Sequence, residues 1–188
     1  MTPMVDLAFL LVTFFMLTTK FRPEEPVIVD TPSSVSEIKL PDRDIMLITV
    51  DADGRVFYDV DGKQTRAIIL QKMAEHYKLS FTDKEVNRFS VLTSIGMPME
   101  NLKTYLNADD NTRKQLNKQT KGIPADSLHN ELSDWINFGR HANPKYRIAI
   151  KGDGQANYPI VKQVIKTLQD NKVNKFNLIT NLEEAPKD

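Results

Sequence analysis

A single carboxylate constrains this chain more than any other feature. The sequence opens MTPMVDLAFLLVTFFMLTTKFRPEEP, and from Val5 to Leu17 every side chain is apolar except Asp6 and Thr13, with Lys20 the first charge beyond them. A helix over Met1 to Thr19 would rise about 28 Å at 1.5 Å per residue, close to the ~30 Å hydrocarbon core of a bilayer. The run is therefore just long enough to span a membrane. A signal peptide would want basic residues before the apolar stretch and a small-x-small cleavage site after it, and neither is present. A buried helix of a soluble domain is opposed by FRPEEP directly behind, whose prolines and charges read as a linker leaving a membrane. In lipid, Asp6 costs on the order of 2.5–3.5 kcal/mol near the bilayer centre and less near an end, so it needs a reason to be there. On a helical period Thr2, Asp6, Leu10, Thr13 and Leu17 share one stripe, while Phe14 and Phe15 fall largely elsewhere. That stripe is expected to face protein. The bland alternative puts Asp6 at headgroup level.

Composition removes several function classes. Lysine plus arginine and aspartate plus glutamate both total 25, so no global charge drives the chain onto nucleic acid. The absence of cysteine excludes disulfides, thiol nucleophiles and thiolate metal sites. His76, His129 and His141 lie far apart, with no ligand at a metal-site spacing, so no metal is expected. No nucleophile–base pair or carboxylate pair forms a recognisable motif, so the chain is not expected to be an enzyme, nor to hold a cofactor.

Along the rest of the chain, Pro23, Pro26, Pro32 and Pro41 mark residues 20–42 as an extended linker containing one strand-capable patch, Val27 to Val29. DIMLITVDADGRVFYDVDGK reads as a hairpin, with a strand through Ile45 to Val50, a turn at DADG and a second strand from Arg55 to Tyr58. DADG faintly suggests a calcium loop, but Gly62 stands where the terminal glutamate belongs, so a turn is expected. Ile68, Ile69, Met73 and Tyr77 give a helix over Arg66 to Tyr77, with a solvated His76 near its end. Thr82 and Glu85 form a capping box, and Phe81 with Val86 a hydrophobic staple, opening a helix through Phe89 and Leu92. MENLKTYLN adds further helical turns. NADDNTRKQLNKQTKG is polar and reads as an exposed or mobile connection. DSLHNELSDWINFGRH recovers helical period at Leu128, Leu132, Trp135 and Ile136, and should stop at Gly139. Phe89, Leu132 and Trp135 are expected to anchor these helices on the core. The final unit is a strand at Tyr146 to Ile150, a turn at KGDGQAN, a helix capped by Asn157 with Ile160, Val161, Val164, Ile165 and Leu168 as its buried stripe, and a strand at Lys175 to Ile179. The lone GDG is weak ground for phosphate binding.

TPMVDLAFLLVTFFM resembles the membrane signature of the ExbD/TolR family, in which a Thr-Pro-x-apolar-Asp start opens one apolar helix. VIVDTPSS, ITVDADGRVFYDVDGK and YRIAIKGDGQANYPIVKQVIKTLQDNKVNKFNLIT are similar to the family's short extended segment, first hairpin and closing strand–helix–strand. The resemblance implies an α+β chain: a transmembrane helix at 1–19, a periplasmic linker at 20–42 with the strand-capable segment 27–34, a small periplasmic α/β sandwich at 43–182 carrying a helical insertion at about 79–141, and a tail at 183–188. It further implies a subunit of an inner-membrane motor driven by the proton gradient, which energises outer-membrane transport. Asp6 would carry the protons. A multi-span ExbB/TolQ-like ring protein, a TonB/TolA-like force transmitter and a second copy of the chain would be partners, the transmitter meeting Val27, Ile28, Val29 and Pro32. Thr2 and Thr13 are added as helpers from the helical stripe alone. A TolR-like anchored domain for envelope maintenance or peptidoglycan binding is the alternative. Members carry a polar cytoplasmic tail before the Thr-Pro, so a truncated or misplaced start is expected here. The positive-inside rule would place Lys20 and Arg22 in the cytoplasm, whereas the resemblance places everything after the helix in the periplasm, and the periplasm is expected.

Overall fold

The computed structural model describes residues 2–18, 29–31, 33–34, 44–126, 129–179 and 181–182. It is a mixed α+β chain built on a small sheet. Strand β2 (Ile45–Val50) pairs antiparallel with β3 (Val56–Val60) and parallel with β4 (Arg147–Gly152), which in turn pairs parallel with β5 (Asn177–Ile179). The order is β3-β2-β4-β5. Alternation along β2 sends Met46, Ile48 and Val50 into full burial and leaves Ile45, Leu47 and Thr49 half-buried, so one face of the sheet carries the main core. Against it lie Ile69, Leu70 and Met73 of helix α2 (Lys63–His76), Leu132, Trp135 and Ile136 of α6 (Glu131–Ala142), and Val164 and Leu168 of α7 (Tyr158–Asp170). Of the expected α7 stripe, Ile160, Val161 and Ile165 are only partly buried.

DADG is a turn. The Asp51 amide donates to the Arg55 carbonyl and the Gly54 amide to that of Asp51, with Gly54 at φ +79°. Asp51 is buried, and the Arg55 guanidinium answers it at 2.6 Å. The second strand starts one residue later than expected and runs on to Val60, because it is held on both sides: by β2, and at its outer edge by reciprocal backbone bonds between Tyr58 and Ile95. Arg66 fixes the next element. Its guanidinium donates to the carbonyls of Val60 and Leu92 and to the Asp59 carboxylate, tying α2 to β3 and to the end of α3 (Asp83–Val91).

Helix α3 begins as its capping box dictates: Thr82 Oγ1 accepts from the Glu85 amide, and the Glu85 carboxylate accepts from the Thr82 amide at 2.7 Å. The bond from the Thr82 amide, with those from the Asn107 and Thr82 side chains, holds the buried Glu85 carboxyl below the usual range. MENLKTYLN is helix α4 (Met99–Asn107), with Met99, Leu102, Tyr105 and Leu106 inward.

Two expectations fail in this region. The polar stretch after Asn107 is not an irregular connection but helix α5 (Asp110–Gln119), which buries no residue completely. Its ends are held instead: Asp109 caps the amides of Asn111 and Thr112, and Arg55 donates to the carbonyls of Asn117 and Lys118 in the last turn. Composition signalled exposure correctly and missed the caps. Helix α6 starts at the Asn130 cap and does not stop at Gly139 but continues to Ala142. A side chain at Gly139 would collide with the Tyr58 hydroxyl and the Met46 methyl, so this glycine lets α6 approach the sheet rather than ending it. Leu128 lies outside the described residues.

Trp135 is the joint of these helices. It is fully buried, stacks on Phe89 at 5.9 Å and lies 5.5 Å from the Tyr58 ring, whose hydroxyl donates to the Trp135 carbonyl. His76 is half-exposed, 3.8 Å from Asp134, an acid that also accepts from the Tyr77 hydroxyl at 2.7 Å.

Candidate functional site

Helix α1 (Thr2–Thr18) forms because nothing in it breaks the ladder: Pro3 sits in the first turn, where its missing N–H has no intrahelical partner to lose. Its large apolar side chains are exposed on every side, Phe9 and Phe14 among them. A helix apolar all round requires an apolar surround, from lipid or from protein. At 17 residues α1 rises about 25 Å, roughly one turn less than the hydrocarbon thickness. Among the described residues no helix is long and apolar enough to cross a membrane.

Asp6 is the one ionisable side chain on α1. It is exposed, and among the described residues it has neither an ion pair nor a hydrogen bond. Thr13 shares its stripe two turns on, about 10 Å along the axis, too far for direct contact. The Thr13 hydroxyl donates to the Phe9 carbonyl at 2.8 Å, which occupies its proton and leaves it only as an acceptor. Thr18, which sequence reasoning passed over, makes the same bond to the Phe14 carbonyl. Thr2 opens the helix.

The second candidate element is the segment after the linker. Val27, Ile28 and Pro32 lie outside the described residues. Val29 and Thr31 are buried. Between them Asp30 is exposed but fully engaged: its amide donates to Asp153 Oδ2 at 3.0 Å, and its carbonyl accepts from the Gly154 amide at 2.8 Å. Asp153 is fixed in turn, donating its amide to the Val50 carbonyl and accepting from Gln155. The GDG turn thus receives a length of its own chain. Beyond it, β1 (Ser33–Ser34) pairs parallel with β6 (Asn181–Leu182), Ser33 opposite Asn181. This pairing lies outside the patch Val27 to Val29, of which only Val29 is described, and Val29 is in no strand. Asp153 and Gly154 had no local signal of this role, because their partner Asp30 lies more than a hundred residues away.

Among the described residues no group of three or more His, Cys, Asp or Glu side chains is arranged to hold a metal ion. A family model described as biopolymer transport protein ExbD/TolR matches residues 1–183. No curated protein and no solved structure matches the chain.

Proposed function

Because the chain belongs to the ExbD/TolR family of biopolymer transport proteins, we propose that it is the proton-handling subunit of an inner-membrane motor that energises transport at the outer membrane. The observation that carries this proposal is Asp6: one carboxyl, without a partner among the described residues, on a helix otherwise sheathed in exposed apolar side chains. Insertion of α1 among apolar helices of a multi-span ExbB/TolQ-like ring protein would satisfy that surface, and a second copy of the chain would complete the stripe that Asp6 and Thr13 share. Asp6 takes up a proton from one side and releases it to the other. Thr13, with its own proton engaged, can accept a hydrogen bond from water along the path, and Thr2 lies one turn from Asp6 at the helix start. The role is non-enzymatic.

The domain after the linker is the coupler, with the helices between α2 and β4 as an insertion within it. We place it in the periplasm. Asp110 is well exposed on α5 and the chain has no cysteine, so Asp110→Cys supplies a sole thiol. In intact inner-membrane preparations of defined sidedness it should react with an impermeant maleimide from the periplasmic face. Labelling only from the cytoplasmic face would reverse the topology.

Residues 27–32 form the contact to a TonB/TolA-like force transmitter. Since Val29 and Thr31 are buried in their own domain and Asp30 is bonded to the GDG turn, an exchange of partners is required before the segment can serve another chain. Strand addition uses backbone donors, and proline removes one. Ile28→Pro should therefore lower transport at least tenfold while expression and membrane insertion stay at wild-type levels. Unchanged transport would make the segment a passive linker.

A further inference from the structure

We propose that the groove between α4 and α5 binds a short peptide segment in which an apolar side chain lies beside a carboxylate. This inference is independent of the motor function and holds whether or not Asp6 carries protons. The groove has a volume of about 470 Å³, inside the roughly 300–1,000 Å³ of ligand-sized sites. Its apolar part is the buried Met97 with the half-buried Pro98 and Leu116. Along it stand the exposed amides of Asn101 and Gln119 and the ammonium of Lys121.

The walls are fixed before any ligand arrives. Thr120 Oγ1 donates to the Gly96 carbonyl at 2.7 Å and so holds the 120–121 stretch beside residues 97–98. The Ile123 amide donates to the Val56 carbonyl, and Arg55 holds the final carbonyls of α5, which ties the same wall to the sheet. A site anchored this way loses little freedom on binding.

The free polar groups define the occupant. Among the described residues the side chains of Asn101, Gln119 and Lys121 make no hydrogen bond or ion pair, although the neighbouring Thr120 and Asn107 side chains do. A primary amide offers both donors and an acceptor, which matches the paired N–H and C=O of a peptide. Lys121 is the only formal charge in the lining, so the groove is complementary to one negative charge, and an ammonium reads a carboxylate as a point charge. No aromatic ring lines the groove, so a nucleobase has no surface on which to stack. Met97 and Leu116 suit a branched aliphatic side chain.

The test uses the full-length, isotope-labelled chain in detergent, titrated with N-acetyl-L-leucine and separately with N-acetyl-L-leucinamide, which lacks the charge. N-acetyl-leucine should shift the amide signals of Asn101, Gln119 and Lys121 saturably and bind at least fivefold tighter than the leucinamide. Lys121→Ala should erase that preference, and Asn101→Ala should weaken both probes. Raising the salt should weaken only the charged probe. Absence of saturable shifts at these positions overturns the proposal, as does equal binding of the two probes. Tighter binding of methyl N-acetylglucosaminide at the same signals would also overturn it, by assigning the groove to a saccharide.

Discussion

Asp6→Asn is expected to yield a complex that reaches the membrane and co-purifies with its multi-span partner, yet conducts no protons and energises no transport. Asparagine keeps the size and polarity of the side chain and removes only its ability to change charge. Because a charged aspartate near the bilayer centre costs on the order of 2.5–3.5 kcal/mol, a neutral replacement should not impair insertion and should leave expression equal or higher. Each proton crossing 100 mV releases roughly 2.3 kcal/mol from the electrical term, comparable to breaking one or two hydrogen bonds of the kind that hold Asp30 to the GDG turn. On the proposed reading, each proton would supply energy on the scale of the hydrogen bonds that hold Asp30. Asp6→Glu still titrates but carries the carboxyl one methylene further out, and should be partly active at best. The measurements are co-purification from membranes, proton flux in reconstituted vesicles and transport in cells. Proton flux retained by the asparagine variant would end the proton-carrier assignment. A wild-type chain extracted without any multi-span partner would remove the motor itself.

Trp135→Ala should destabilise the domain by about 3–5 kcal/mol, the range for truncating a large aromatic in a core. Trp135 touches both parts of the fold: its ring stacks on Phe89 of α3 and packs against Tyr58 of β3, and its carbonyl accepts from the Tyr58 hydroxyl. Its removal opens a void between the helices and the sheet. Trp135→Phe makes the necessary contrast. Phenylalanine keeps a ring for Phe89 to stack on, and it discards the indole N–H, the buried side-chain nitrogen that has no partner among the described residues. Losing an unpaired donor recovers part of what the smaller ring forfeits, so this variant should cost roughly 1 kcal/mol or less. Since Trp135 is the only tryptophan, unfolding in urea should be followed by circular dichroism. Equal losses in the two variants would show that a phenyl ring recovers nothing of what the indole contributes and would overturn this account.

Wherever hydrophobic period or a cap acts within a few residues, the sequence by itself determined the element. The apolar run with its one acid, the hairpin at DADG, the capping box at Thr82 and the burial of Phe89, Leu132 and Trp135 all follow from side chains close enough to constrain each other directly. The family signature belongs here too, since Thr2, Pro3 and Asp6 fall within one and a half turns. Tertiary structure decided what depends on distant partners. Polar composition made residues 107–122 look like a connection, because α5 draws its order from a cap at Asp109 and from Arg55, a residue sixty positions earlier on the hairpin. Gly139 looked like a helix stop because nothing nearby in sequence reveals that Tyr58 and Met46 press against it. The GDG turn looked like a weak phosphate loop and receives Asp30 instead. Val29 could be read as strand-capable, but in the fold it is buried outside any strand. The groove between α4 and α5 depends on distant contacts, Thr120 returning to Gly96 and Arg55 holding the end of α5. Local rules act over about one helical turn or one strand pair, and apart from the Asp109 cap each feature that escaped them rests on a contact between residues more than twenty positions apart.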